Sequence, residues 1–127
     1  MEKLLLNIVL VLVIIFLVPI LVYGLASAIA GLKTPEGVSP SRFLTGVLVS
    51  KLGTAVAFVL VFYFARSVLS GQWLLYAFLW WISFLTDEIG QTIGSGYTWK
   101  EALAGIISET IYLPLSAYLT NCLLGSS

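Results

Sequence analysis

Four long apolar stretches alternate with short polar segments along the chain. Residues 4–32 contain no Asp, Glu, Lys or Arg. At about 1.5 Å of rise per residue, even the first twenty of them would cross a hydrocarbon layer of roughly 30 Å. A secretory signal peptide is the rival reading, because Lys3 is basic and Ala26-Ser27-Ala28 resembles an A-x-A cleavage site; the apolar run exceeds the roughly 7–15 residues usual for such a signal. Pro19 predicts a kink or a local break in backbone bonding. LKTPEGVSPSR (32–42) gathers Pro, Gly, Ser and charge and predicts an aqueous loop. Ser39-Pro40-Ser41 then offers a helix start, and a second span over 43–65 ends at Arg66.

SVLSGQ (67–72) predicts a short second loop, after which Trp73 and Tyr76 open a third span, 73–93, as an interfacial aromatic anchor. In GSGYTWKE (94–101) the glycines close one helix, and Thr98 caps the next with Glu101 three residues on. The fourth span covers 99–123 with Pro114 inside it. Loops this short force antiparallel neighbours. The expectation is all-α: one domain, an integral membrane four-helix up-and-down bundle, multi-pass in the lipid bilayer.

Composition agrees with that class. Hydrophobic residues make up 60% of the 127 and charged residues only 9%, with a mean hydropathy of +1.07, against roughly 25% charged in a soluble domain. Six basic residues balance six acidic ones, so no basic surface for nucleic acid is expected. Histidine is absent and Cys122 is the only cysteine. This inventory excludes an internal disulfide, thiolate zinc sites, histidine-ligated haem and Ser-His-Asp chemistry. No cofactor is expected.

The charges that remain fall in unusual places. If the first and third loops share one side of the membrane, Asp87 and Glu88 lie about 8–10 Å below that surface and Glu109 about 13 Å below it, with Lys51 at similar depth. A charge at the bilayer centre costs about 2.5–3.5 kcal/mol on insertion scales, so these groups should face inward and share partners. Trp80, Ser83, Asp87 and Gln91 recur at steps of three and four and predict one face of the third span. Ala102, Gly105, Glu109, Tyr112, Ser116 and Thr120 do the same on the fourth, opposite Leu103, Ile107, Leu115 and Leu119. Gly46, Ser50, Gly53 and Ala57 form a small-residue stripe on the second, of the kind that lets membrane helices approach closely. Lys51 beside that stripe is expected to pair with Asp87 or Glu109, or else to snorkel to the near surface. The excess carboxylate is then neutralised by a proton or a bound cation.

From residue 43 onward the order FLTGVLVSKLGTAVAF, LLYAFLWWISF, GYTWKEALAGIISETIYLPLSAYL resembles an uncharacterised family of small four-span prokaryotic membrane proteins. The resemblance implies a place in a prokaryotic cell membrane and no particular activity. Two functions follow from the residues themselves. In the first, an oligomer handles a proton, a metal or other cation, or a cationic solute, using Asp87, Glu88 and Glu109 with Lys51, Gln91, Ser83 and Tyr112 beside them. In the second, the chain is an accessory or scaffolding subunit whose buried charges set helix register or engage a partner. Enzymatic acid-base chemistry by the paired carboxylates is a third possibility, disfavoured because no nucleophile-base pair or phosphate-binding loop accompanies them.

Overall fold

The computed structural model describes residues 2–30, 40–94 and 98–125. All regular structure there is helical: α1 (Glu2–Ala30), α2 (Pro40–Phe64), the single turn α3 (Arg66–Leu69), α4 (Trp73–Gly94) and α5 (Trp99–Leu124). The first loop and residues 95–97 of the third lie outside the described residues. Helix α2 starts at Pro40, where the missing N–H costs nothing. Helix α5 starts as its sequence requires, with the Thr98 side chain accepting from the Glu101 backbone N–H at 3.2 Å.

Among the described residues, three helices are long and apolar enough to cross a membrane: α1 over Glu2–Ile29, α2 over Ser41–Phe64 and α5 over Trp99–Leu124. The third expected span, α4, has 22 residues but does not join that set. Its last two turns carry Thr86, Asp87, Glu88, Gln91 and Thr92, which lower its apolarity. The expected second loop also differs, since 66–69 form a helical turn. Arg66 closes α2 by donating from Nη1 to the Tyr63 carbonyl at 2.7 Å, its guanidinium stacked 4.2 Å from the Tyr63 ring centre. Gly71 takes a left-handed φ of 81°, and its N–H donates to Asn121 Oδ1 at 2.8 Å. The turn is thereby fastened to the end of α5.

Helix α5 is the hub, packing against α1 on one side and α4 on the other, while α1 also packs on α2. Bonds along the interfaces fix the directions. Tyr23 Oη donates to the Glu101 carbonyl at 3.3 Å near one end of α1, and Thr120 meets Asn7 near the other, so α1 and α5 are antiparallel. Trp81 Nε1 donates to Thr110 Oγ1 at 3.0 Å, and Trp73 packs edge-on to Tyr118, so α4 is antiparallel to α5 as well. Aromatic rings join α2 to α4: Phe58 meets Tyr76 and Trp80 at 4.8 and 5.5 Å between centroids, and Phe62 meets Tyr76 at 5.3 Å. Tyr76 Oη also donates to the Phe58 carbonyl. The α1 face toward this core is the four-residue repeat Asn7, Val11, Ile15, Pro19, all buried. Around the rest of α1, Leu5, Val9, Val13, Leu17 and Leu21 are exposed. A helix apolar around most of its circumference is suited to a membrane span.

Candidate functional site

The stripe expected on α5 is buried along its whole length: Ala102, Gly105, Glu109, Tyr112, Ser116 and Thr120. Leu103, Ile107 and Leu115 lie exposed on the far side. Small residues dominate the stripe because neighbouring helices approach from both flanks. Gly105 marks the tightest point. A Cβ there would stand 2.7 Å from Glu88 Cδ, so the carboxyl group of Glu88 occupies the space that any larger side chain would fill.

Glu88 is thereby laid across α5 one turn from Glu109, which is 6% exposed. The two acids are close enough to act on each other electrostatically. Two ionised carboxylates brought together repel, and a proton or a cation between them relieves that repulsion. Glu88 Oε2 and Glu109 Oε1 are both shielded from solvent and have no hydrogen-bond partner.

Lys51 reaches the same pocket from α2. Its Nζ donates to Tyr112 Oη at 3.3 Å and lies 5.0 Å from the centre of the Tyr112 ring. Glu109 and Glu88 both act on it electrostatically, but its direct partner is the phenol. The expected ion pair with Asp87 or Glu109 is replaced by a hydrogen bond and a cation–π contact. Lys51 points inward and is half-buried, so it does not snorkel to the near surface.

Asp87, Ser83 and Gln91 sit elsewhere. All three are exposed, on a flank of α4 turned about 100° from Glu88, where Gln91 Nε2 donates to Asp87 Oδ2 at 2.9 Å. With Gly90 they line a shallow open depression. The expected polar face of α4 therefore does not point at α5. Phe84 and Glu88 turn toward α5 with Trp73 and Trp81 beside them, while Tyr76 and Trp80 turn toward Phe58 and Phe62 of α2. Aromatic side chains bury about 150–250 Å² each, and three of them outweigh one carboxylate in setting the rotation of a helix. Asp87 stays within electrostatic range of Glu109 without joining the contact.

The small stripe of α2 also faces away. Gly46, Ser50, Gly53 and Ala57 are exposed, and a Cβ on Gly46 or Gly53 would meet nothing within 4 Å. The helix buries Ala55, Phe58, Val59 and Phe62 instead, again because the aromatic rings select the face.

Asn7 is fully buried against α5 beside Thr120 and escaped the reading of the sequence. The signal was present in LLNIVL, an amide side chain alone in an otherwise apolar helix. Among the described residues, no group of three or more His, Cys, Asp or Glu side chains is arranged to hold a metal ion. Among the described residues Glu109 is the buried acid, with the half-buried Glu88 near it, and both act electrostatically on Lys51. Comparison with protein-family models, with curated proteins and with solved structures gives no match, so the family resemblance read from the sequence gains no support there, and any function must be argued from this geometry.

Proposed function

We propose that the chain crosses the membrane four times, with α4 as the remaining crossing, and that the Glu88–Glu109 pair binds a proton or a small cation in a transport-type protein that works as an oligomer. Helix α4 suits a crossing: its 22 residues extend about 33 Å, close to the roughly 30 Å hydrocarbon thickness. The observation that carries the function is the Glu88 carboxyl group lying over Gly105, one turn from the buried Glu109, each acid with an oxygen lacking a partner. Lys51 contributes one positive charge beside two acids, and the site retains one negative charge to be neutralised. A proton and a cation compete for that charge, and such competition is the physical basis of exchange.

The test is flux or ion binding in liposomes holding the purified chain. Glu109→Gln and Glu88→Gln should each abolish the dependence of the signal on pH, because either change removes half of the pair. Asp87→Asn should leave most of it. Equal and negligible effects of all three changes would discard the proposal.

A second reading, an accessory subunit of a larger membrane complex, is favoured by the outward faces of α2 and α4. Ser83, Thr86, Asp87 and Gln91 are exposed on a helix set among apolar ones, and covering them would remove the cost of leaving polar groups toward lipid. Another copy of the chain would cover them in the first reading and a different subunit in the second. Co-purification with one fixed partner in mild detergent selects the second; a homo-oligomer selects the first.

A further inference from the structure

A second polar group is enclosed between α1 and α5, toward the end of the fold where α1 begins. Asn7, Ser116 and Thr120 are each 0% exposed. Thr120 Oγ1 donates to Asn7 Oδ1 at 3.5 Å, beyond the usual range for a hydroxyl donor. Asn7 Nδ2 and Ser116 Oγ have no hydrogen-bond partner. Packing does not call for these groups, since Val11 and Ile15 continue the same face of α1 with apolar side chains. A buried donor or acceptor left unsatisfied is strongly unfavourable, and in hydrocarbon no lipid group replaces the missing partner.

We propose that Asn7, Ser116 and Thr120 bind an internal water and that this water, with the hydroxyls of Thr120, Ser116 and Tyr112, relays protons between Glu109 and the solvent at the end where α1 begins. The relay rests on the reading of Glu88–Glu109 as a proton-binding pair; the water site does not. Glu109, Tyr112, Ser116 and Thr120 follow one another on the buried face of α5, at axial steps of about 4.5, 6 and 6 Å. One water with two hydroxyl hydrogen bonds of about 2.8 Å, bent at its oxygen, spans about 4.5 Å, a gap that hydroxyls on neighbouring turns close by leaning toward each other. Hydroxyls and water both donate and accept, as a relay requires. Lys51 donates to Tyr112 Oη, so the phenol's own proton remains available to pass on.

In each step an oxygen gains an O–H bond on one side and releases its original proton on the other. The net result is one proton moved from solvent to the Glu109 carboxylate, with every hydroxyl restored. The charged groups acting on Glu109 are Glu88 and Asp87 from α4 and Lys51 from α2; from α1, Tyr23 acts on Tyr112. Asn7 lies five residues from Glu2, about 7.5 Å along the axis, so the solvent end of the route is short.

The test is proton uptake by the full chain in liposomes, followed with a pH-sensitive dye after a pH jump imposed on the side of the α1 start. Ser116→Ala should slow uptake about tenfold, the effect of losing one relay contact, while its final extent is unchanged. Thr120→Ser, which keeps the hydroxyl, should stay within about twofold of the parent. Unchanged rates in Ser116→Ala and Asn7→Leu, with uptake still lost in Glu109→Gln, would overturn the relay while leaving the proton-binding pair intact. Uptake preserved in Glu109→Gln would overturn the relay and the pair together. Thermal unfolding in detergent decides the water site independently: a hydrated site predicts lower midpoints for Asn7→Leu and Ser116→Ala, whereas higher midpoints for both would show that the site is dry.

Discussion

A methyl group added at Gly105 would fall 2.7 Å from the Glu88 carboxyl carbon, so one small substitution tests the contact at the centre of the site. Gly105→Ala gains about 1 kcal/mol of helix propensity but forces Glu88 off α5, and overpacking of this kind costs about 1–3 kcal/mol. A lower unfolding midpoint in detergent is expected, restored when Glu88→Ala is added to the same chain; strictly additive effects would show that the two residues do not touch. Lys51 offers a charge test, because it is the basic group beside two acids. Lys51→Met should tighten cation binding on the order of tenfold, corresponding to about 1.4 kcal/mol of repulsion removed, as read by isothermal titration. Glu109, Tyr112 and Gly105 were legible as members of one buried face because they repeat at helical spacing on a stripe with few competitors. Glu88 was harder to place. It is adjacent to Asp87 in sequence, and a grouping by polarity alone favours Asp87, which aligns with Ser83 and Gln91.

At the scale of the helices, the aromatic repeat of α4 decides which acid turns inward. Tyr76, Trp80 and Phe84 pack against Phe58, Phe62 and Tyr112, and Glu88 is the next residue on that line. The repeat was present in LLYAFLWWISFLTDE, but its reading requires side-chain volume to be weighed above polarity. Trp80→Ala should cost about 3 kcal/mol and weaken the site by letting α4 rotate. Phe78→Ala, on the exposed side, should cost under about 0.5 kcal/mol; equal losses at the two positions would place the aromatic face of α4 elsewhere. The outward turn of the α2 small stripe has the same origin, since Phe58 and Phe62 claim the inner face. The helical turn at 66–69 was not legible, because SVLSGQ reads as loop and its order depends on Asn121, fifty residues away from Gly71. Gly71→Ala should cost about 1–2 kcal/mol through its left-handed backbone alone, a loss visible in the same unfolding assay.

On the scale of the whole molecule, the existence of long apolar helices and their antiparallel order were fixed by apolar lengths and short connections. Their rotations were not, because each depends on partners distant in sequence. In the proposed four-crossing arrangement Lys33, Arg42 and Lys100 on one side outnumber Lys3 and Arg66 on the other by three to two, which favours the first side as cytoplasmic and predicts the turn at 66–69 outside. Ser67 is exposed there, so Ser67→Cys in a Cys122→Ser background should react with a membrane-impermeant maleimide in intact cells; protection until the cells are broken would reverse the orientation. The central position of α5 bears on biosynthesis. Asn7 on α1 and Glu88 on α4 both find their polar neighbours on α5, and α5 leaves the ribosome after the helices that need it. During synthesis the earlier helices wait with an uncovered amide and an uncovered carboxyl group, and arrival of the Gly105–Thr120 segment covers both in one docking event. Assembly is thus timed by α5, and a chain stalled before that segment emerges presents quality control with two uncovered polar groups in otherwise apolar helices.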